Sequence, residues 1–275
     1  MQHPLLQKII RWLVPIAALI AFAAWMFIAP PGVLGKADAV GYAVCHRISE
    51  RSFHIGNRQL PLCARCSGTF TAAAVTLAFL AVTIRKGSGM PDKKFYLPFA
   101  LFFLAFAVDG SNSYLYLVKQ TTGALTRLPN LYIPNNTLRL FTGTGMGMTM
   151  AAFLFPAFNQ SVWRDLDPAP VIKDWKHLFA LIGLLLVIDL LILTDSPLVL
   201  YPIALLSPLG TLSLLTMIFA IVWLMLMRQD NTVTRARELW LPLLAGFTLA
   251  MLMILAIDLF RLQLTGTWGG FPLGK

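Results

Sequence analysis

The chain has 275 residues, of which 57% are hydrophobic and only 12% are charged, about half the charged fraction of a typical soluble domain. This composition excludes an ordinary soluble protein and predicts a membrane protein. The formal net charge of +10 would suggest nucleic acid for a soluble protein. Here the basic residues fall in short loops between apolar runs, where they orient a membrane protein. We therefore expect the lipid bilayer as a partner and no nucleic acid.

Apolar runs close to the ~20 residues that cross a bilayer occur about seven times. They predict an all-α, polytopic transmembrane helix bundle with spans near 12–30, 67–84, 95–118, 138–158, 177–194, 209–227 and 239–262. The first run has a basic front like a signal peptide. Its apolar part continues well beyond Ala21-Phe22-Ala23, so we expect a retained span. Pro197, Pro202 and Pro208 interrupt the start of the sixth run, and that stretch is either helical or a re-entrant segment.

Lysine and arginine residues predict how the spans are oriented. The N-terminus and the loops after spans two, four and six hold one basic set: Lys8, Arg11, Arg85, Lys86, Lys93, Lys94, Arg164, Lys173, Lys176, Arg228, Arg235 and Arg237. The other side holds Lys36, Arg47, Arg51, Arg58, Arg65, Lys119, Arg127, Arg139, Arg261 and Lys275. Several arginines of the second set have other uses in a cysteine-rich loop. With these set aside, the positive-inside rule places the N-terminus in the cytoplasm of a plasma or inner membrane and that loop outside.

The cysteine-rich loop, residues 45–66, joins the first two spans and holds all three cysteines of the chain. Cys45, Cys63 and Cys66 with one histidine form the ligand set of a tetrahedral zinc site, and the C-x-x-C spacing is that of a zinc knuckle. The fourth ligand is His46 or His54. Neighbours such as Cys45 and His46 reach one metal only through a strained turn, which favours His54, although apolar neighbours also suit a packing role for His54.

Two other uses of the cysteines remain open. Arg65 lies between the paired thiols and would stabilise a reactive thiolate, while a structural disulfide would leave one thiol over. Three cysteines exclude a relay of two pairs. In the zinc interpretation, Arg51 and Arg65 would offset the charge of the metal site or contact an anion.

Ionisable residues inside the spans are candidates for function, because they cost several kcal/mol unless paired or hydrated. Asp109 lies some 14 residues into span three, about 21 Å from its cytoplasmic end, and Asn136 and Arg139 open span four from the same outer side. Asp109-Gly110 indicates either a helix that breaks there or a buried acid that pairs with Arg139 or acts as a base or metal ligand.

Two further features are expected to be structural. Asp189, and Asp258 with Arg261, are predicted to form pairs between helices. The string from Thr142 to Gly147 lies inside an apolar span with no strand before it, which excludes a phosphate loop. Gly143 and Gly147 instead give a smooth helix face that a neighbouring helix can approach closely.

These motifs resemble an uncharacterised family of polytopic prokaryotic membrane proteins, a domain of unknown function, over about residues 44–147. The resemblance is carried by CH-x4-RS, P-x-C-x-R-C-x-G, DG and N-x-x-R-x-x-TG, which here are Cys45, His46, Arg51, Ser52, Pro61, Cys63, Arg65, Cys66, Gly68, Asp109, Gly110, Asn136, Arg139, Thr142 and Gly143. It implies His46, not His54, as the fourth ligand, and it implies no activity. The last three spans extend beyond the pattern. We therefore divide one membrane domain into a core, 1–158, and an extension, 159–275.

Two functions are compatible with this pattern. In the first, a zinc site caps a polar pocket at the outer face, and Asp109, Asn136 and Arg139 supply acid–base and anion-binding groups for a lipid-like or quinone-like molecule. In the second, the protein is a non-catalytic membrane subunit or assembly factor that binds other membrane subunits. The Cys/His loop is then a structural staple.

Overall fold

Seven long apolar helices dominate the computed structural model, which describes residues 4–270. The helices are α1 Pro4–Ile28, α2 Val33–Val44, α3 Ala64–Thr83, α4 Tyr96–Thr122, α5 Asn136–Val162, α6 Trp175–Ile192, α7 Pro197–Met227 and α8 Trp240–Thr265. All except α2 are long and apolar enough to cross a membrane. The prediction of an all-α polytopic bundle is confirmed. Lys275, which entered the count of basic residues, lies outside the described residues.

Helix α3 lies at the centre of the bundle against α5 and α7, while α8 packs on α7 and α1, and α4 packs on α5. Two glycines allow the backbones of α3 and α5 to touch. A Cβ atom on Gly143 would lie 2.1 Å from the carbonyl oxygen of Arg65, and one on Gly147 would lie 1.9 Å from that of Thr69. The predicted smooth face is confirmed as the contact that fixes the first turn of α3 on α5.

Two expectations about helix breaks are wrong. Helix α4 runs without interruption through Asp109-Gly110, because the polar side chains of this stretch have partners inside the protein. The re-entrant alternative for residues 197–208 also fails, since α7 is one helix that starts at Pro197 and contains Pro202 and Pro208. Packing against neighbouring helices lets a membrane helix tolerate such prolines.

The cysteine-rich loop has its own local structure. It follows the 12-residue helix α2, which the sequence analysis did not predict, and contains a 3₁₀ turn at Ser49–Arg51. A short antiparallel hairpin comes next, formed by β1 His54–Ile55 and β2 Arg58–Gln59. The loop then enters α3 at Cys63.

The opposite end of the bundle joins the loops that follow α3, α5 and α7. Strand β3, Gly87–Gly89, pairs in parallel with β4, Asp167–Pro170, and Trp163 forms a bridge with Val233. These loops carry most of the basic residues that the sequence analysis assigned to the cytoplasm. Because the strand pair and the bridge join the loops, these basic residues lie at one end of the molecule. Their placement in the cytoplasm stays a prediction.

Candidate metal centre and cavity

The three cysteines converge where α2 ends and α3 begins. Cys45 follows the last residue of α2, Cys63 caps the N-terminus of α3, and Cys66 lies in its first turn. Their Sγ atoms all lie within 4.8 Å of one another. In tetrahedral zinc sites Zn–S bonds of about 2.3 Å place the sulfurs roughly 3.8 Å apart. Three free thiols at this separation fit a shared metal ion.

Hydrogen bonds and charge around the thiols favour a thiolate at Cys63. The pKa of Cys63 is lowered mainly by hydrogen bonds from the thiols of Cys45 and Cys66, with a contribution from the positive charge of Arg65. The same contact with Cys63 raises the pKa of Cys45 to about 12. Backbone N–H groups of Arg47 and Cys63 donate to Cys45 Sγ at 3.4 and 3.3 Å. Cys45 and Cys66 donate these hydrogen bonds as protonated thiols, so without a metal the cluster stabilises one thiolate, at Cys63, and a bound cation would have to displace the protons of the other two thiols.

Neither candidate histidine belongs to the thiol cluster of the described residues. His46 is exposed and lines the same cavity as the three cysteines. The Nε2 atom of His54 lies 3.1 Å from Ser49 Oγ at the hairpin. The identity of a fourth protein ligand stays a prediction, and the geometry gives His54 a partner of its own.

Asp109 pairs with Arg65 and not with Arg139, so the predicted Asp109–Arg139 pair is wrong. The ion pair joins Arg65 Nη2 to Asp109 Oδ2, and Arg65 Nε donates to the same oxygen at 3.1 Å. Arg65 Nη2 also donates to the Asp109 carbonyl at 3.1 Å and to Ser113 Oγ at 3.0 Å. The pair forms because the first turn of α3 faces this turn of α4, while Arg139 donates to Asn136 Oδ1 at 2.8 Å.

Two hydroxyl groups complete the surroundings of Asp109, whose side chain is only 1% exposed. The Tyr132 hydroxyl donates to Oδ1 at 2.8 Å, and the Thr142 hydroxyl lies 3.3 Å from Oδ2. Burial and the hydrogen bond to Asp109 raise the pKa of Tyr132 to about 12. Sequence reasoning missed Tyr132, because its loop carries no motif.

A cavity of about 310 Å³ lies beside the thiols and the Arg65–Asp109 pair. Its walls combine the three cysteines with four arginines, which are Arg47, Arg51, Arg65 and Arg139. Tyr114 and Leu117 of α4 supply an apolar side. The cavity joins the predicted metal ligands to Arg139, Arg51 and Arg65, whereas Asp109 and Asn136 lie behind the arginines that they contact.

Two of these arginines, Arg139 and Arg51, form no ion pair with a carboxylate among residues 4–270. Arg139 is 5% exposed, and its Nε has no hydrogen-bond partner. Arg51 donates to the carbonyl of Ser113 at 3.2 Å, and burial together with the charge of Arg65 lowers its pKa. Guanidinium groups held this close repel one another, so the cavity is suited to an anion.

The end of α8 holds the cysteine-rich loop in place. Arg261 Nη1 donates to the carbonyls of Tyr42 and, at 2.8 Å, Cys45. Arg47 donates to Asp38 Oδ1 at 2.9 Å and to the carbonyl of Trp268 at 3.0 Å. The extension therefore contacts one candidate metal ligand, Cys45, directly through its backbone carbonyl.

The other predicted helix pairs differ from the expectation. Among the described residues the carboxylate oxygens of Asp258 accept no hydrogen bond, although Asp258 interacts electrostatically with Arg261. The Arg261 guanidinium also reaches the end of α2, where it donates to backbone carbonyls. Asp189 does join two helices, but its partner is the Thr144 hydroxyl at 2.8 Å and not a cation.

Comparisons with known proteins support the motif resemblance. Residues 45–153 match a family model described as "Predicted membrane protein (DUF2085)". An uncharacterized protein of Methanocaldococcus jannaschii is 29% identical over 126 residues, which cover 46% of this chain and 70% of the relative. No solved structure matches. The family segment includes the thiol cluster, Asp109 and Arg139, while α6, α7 and α8 lie beyond it.

Proposed function

We propose that this membrane protein, whose residues 45–153 match the DUF2085 family, binds zinc at Cys45, Cys63 and Cys66. We further propose that the adjacent cavity holds the anionic headgroup of a lipid-like molecule. The observation that carries the proposal is the buried guanidinium of Arg139, which lines the cavity with an unpartnered Nε and, unlike Arg47, has no carboxylate partner among the described residues. The metal and the arginines would then act on one ligand site at the outer face.

The donor set fits zinc. Cys45, Cys63 and Cys66 would supply three thiolates, and His46, on the wall of the same cavity, would supply the fourth ligand. Bound zinc would cross-link the end of α2 to the start of α3, as structural zinc sites do. A site closed by four protein ligands has no open position, so chemistry on the ligand would fall to the polar side chains.

Charge balance favours an anionic ligand over an uncharged one. Within residues 4–270, Arg47 pairs with Asp38 and Arg65 pairs with Asp109. Arg51 and Arg139 have no carboxylate partner in the same part of the chain. Zinc with three thiolates and a neutral imidazole carries one negative charge, which offsets one arginine. Because Asp38 also pairs with Arg58, at least one positive charge remains at the cavity, and a phosphate or carboxylate headgroup would neutralise it.

The side chains around the cavity have distinct proposed roles. Arg139 and Arg51 would bind the anion, and Asn136 would orient Arg139 through the 2.8 Å hydrogen bond. Asp109 would position Arg65 as its counter-ion and would not act as a free base, because four donors already surround its carboxylate. Tyr114, which is 68% exposed, would border the hydrocarbon part of the ligand.

Lipid binding tests the anion site. Protein in nanodiscs of phosphatidylcholine would be titrated with dioleoyl phosphatidic acid, with Arg139→Gln compared against the exposed loop variant Arg127→Gln. A lost charge-assisted hydrogen bond of about 1.5–3 kcal/mol weakens binding roughly 10- to 100-fold. We expect that loss for Arg139→Gln and parent affinity for Arg127→Gln. Equal affinity of all three proteins would contradict the proposal.

Sidedness is a separate part of the proposal. We place the cysteine-rich loop outside a plasma or inner membrane and the N-terminus in the cytoplasm, on the positive-inside rule. A membrane-impermeant maleimide should label metal-depleted protein in intact cells. Labelling only after permeabilisation would reverse the orientation.

A second candidate is the non-catalytic subunit or assembly factor. It is favoured by one observation: Arg47, Arg65 and Arg261 all bind other elements of their own chain, as a staple would. If this is the function, the protein is one scaffold for other membrane subunits, made of the core 1–158 and the extension 159–275. Two results together would favour the subunit function over the lipid-binding function. A stoichiometric partner should co-purify with the parent and be lost in Cys66→Ser, and the parent should not bind the lipid.

A further inference from the structure

A second cavity, of about 220 Å³, lies away from the thiols among three helices that are long and apolar enough to span a membrane. Helices α4 and α6 both pack on α5, and the cavity occupies the space between them. Phe102 of α4, Phe141 of α5 and Leu185 of α6 belong to its walls. Its surroundings are therefore mostly hydrocarbon and aromatic.

One carboxyl group interrupts this apolar lining. Asp189 of α6 lines the cavity and is only 2% exposed. The Thr144 hydroxyl donates to its Oδ1 at 2.8 Å, whereas Oδ2 has no hydrogen-bond partner in the part of the chain that the structure describes. A buried polar atom without a partner costs about 1–3 kcal/mol. A ligand that supplies the missing hydrogen bond would recover that energy.

The walls limit what such a ligand can be. Among the described residues, Asp189 is the one ionisable side chain that lines the cavity. An anionic ligand would therefore have no counter-ion, and the otherwise apolar walls disfavour transfer of a cation from water. Leu186, at 44% exposure, borders the cavity on the side that faces lipid in a membrane-spanning helix, so entry from the bilayer is open. Phe102 and Phe141 offer faces on which a flat conjugated ring can stack.

Size gives a further limit. Pockets for drug-sized ligands are usually about 300–1,000 Å³, and this one is smaller. It can take one ring, while a hydrocarbon tail attached to that ring would stay in the bilayer.

We propose that Asp189 and Thr144 form the hydrogen-bonding end of a binding site for the ring of an uncharged, carbonyl-bearing membrane molecule of the quinone class. The acid form of the carboxyl group donates to a ring carbonyl from Oδ2 while Thr144 holds Oδ1. This site is independent of the proposed anion site, because no residue lines both cavities.

The test is a titration of the full-length protein in phosphatidylcholine nanodiscs with decylubiquinone. Bound ligand stabilises the folded protein, so the unfolding temperature rises with the logarithm of ligand concentration over Kd and its shift reports affinity. We expect saturable binding to the parent and at least about tenfold weaker binding to Asp189→Leu, the loss of one hydrogen bond to an ionisable group. Asp189→Asn keeps a donor and should bind within about threefold of the parent.

Two further variants keep the proposal falsifiable. Leu186→Trp partly blocks the cavity while the carboxyl group stays intact, and it should also weaken quinone binding. If Asp189→Leu does not fold, the affinity of Leu186→Trp tests the proposal instead. Asp258→Leu removes another buried acid that lines neither cavity, and it should bind like the parent. No saturable binding by the parent, or parent affinity in both Asp189→Leu and Leu186→Trp, would overturn the proposal.

Discussion

Replacing Asp109 by Asn removes the charge that faces Arg65 and keeps an oxygen acceptor for the Tyr132 hydroxyl. The Arg65 guanidinium would then remain largely buried, at 18% exposure, without its counter-ion. Breaking one partner of a buried ion pair costs about 3–5 kcal/mol, and the partial exposure of Arg65 points to the lower end. We expect Asp109→Asn to reduce the free energy of unfolding by about 3 kcal/mol.

A double-mutant cycle identifies the true partner of Asp109. Unfolding would be followed in detergent at pH 7 for Asp109→Asn, Arg65→Gln, Arg139→Gln and the two double variants that contain Asp109→Asn. Contacting residues show coupling of about 0.5–3 kcal/mol, whereas independent sites add within about 0.5 kcal/mol. We expect at least about 1.5 kcal/mol of coupling with Arg65 and near-additivity with Arg139. A larger coupling with Arg139 would refute the geometry described above.

Three other predictions test separate parts of the structure. Gly147→Ala should lower the free energy of unfolding by about 1–3 kcal/mol, because its Cβ would collide with the α3 backbone. The control Gly183→Ala, with open space around the glycine, should change that free energy by under about 0.5 kcal/mol. Equal effects of the two variants would contradict the close packing of α3 on α5. Arg261→Gln should weaken the zinc affinity measured by chelator competition about 10- to 100-fold, as loss of a contact that supports a metal ligand does. An unchanged zinc affinity would mean that α8 does not hold the loop. Tyr132→Phe should lower the free energy of unfolding by about 1–2 kcal/mol at pH 7. Because folding raises the pKa of Tyr132 from about 10 to about 12, the parent should lose this stabilisation as the pH rises through that range. The Phe variant should show no such loss.

Long-range patterns of hydropathy predicted the bundle well, because a bilayer imposes a minimum length on each span. The same criterion missed α2, since its 12 residues are too few to span and include Lys36 and Asp38. The smooth face of Gly143 and Gly147 was also predictable. A glycine pair four residues apart has few uses in an apolar helix other than close packing.

Partners of buried charges could not be predicted in the same way. Depth in the membrane suggested Arg139 as a partner for Asp109, and only the folded structure shows that the Arg65 side chain reaches Asp109 from the first turn of α3. Asp109-Gly110 left a helix end open as one of two alternatives, yet Asn112 donates to the Tyr132 carbonyl at 3.0 Å and the helix continues. The division at residue 158 and the catalytic roles first assigned to Asp109, Asn136 and Arg139 stay predictions.

X-ray absorption at the zinc edge tests the metal centre most directly. Protein purified without chelators would be compared with Cys66→Ser, and metal content would be measured by elemental analysis of the same samples. We predict one zinc per chain with three sulfur neighbours at about 2.3 Å and one nitrogen or oxygen neighbour at about 2.0–2.1 Å, and loss of most zinc in Cys66→Ser. A parent protein without stoichiometric metal, or a bound metal without sulfur neighbours, would contradict the account.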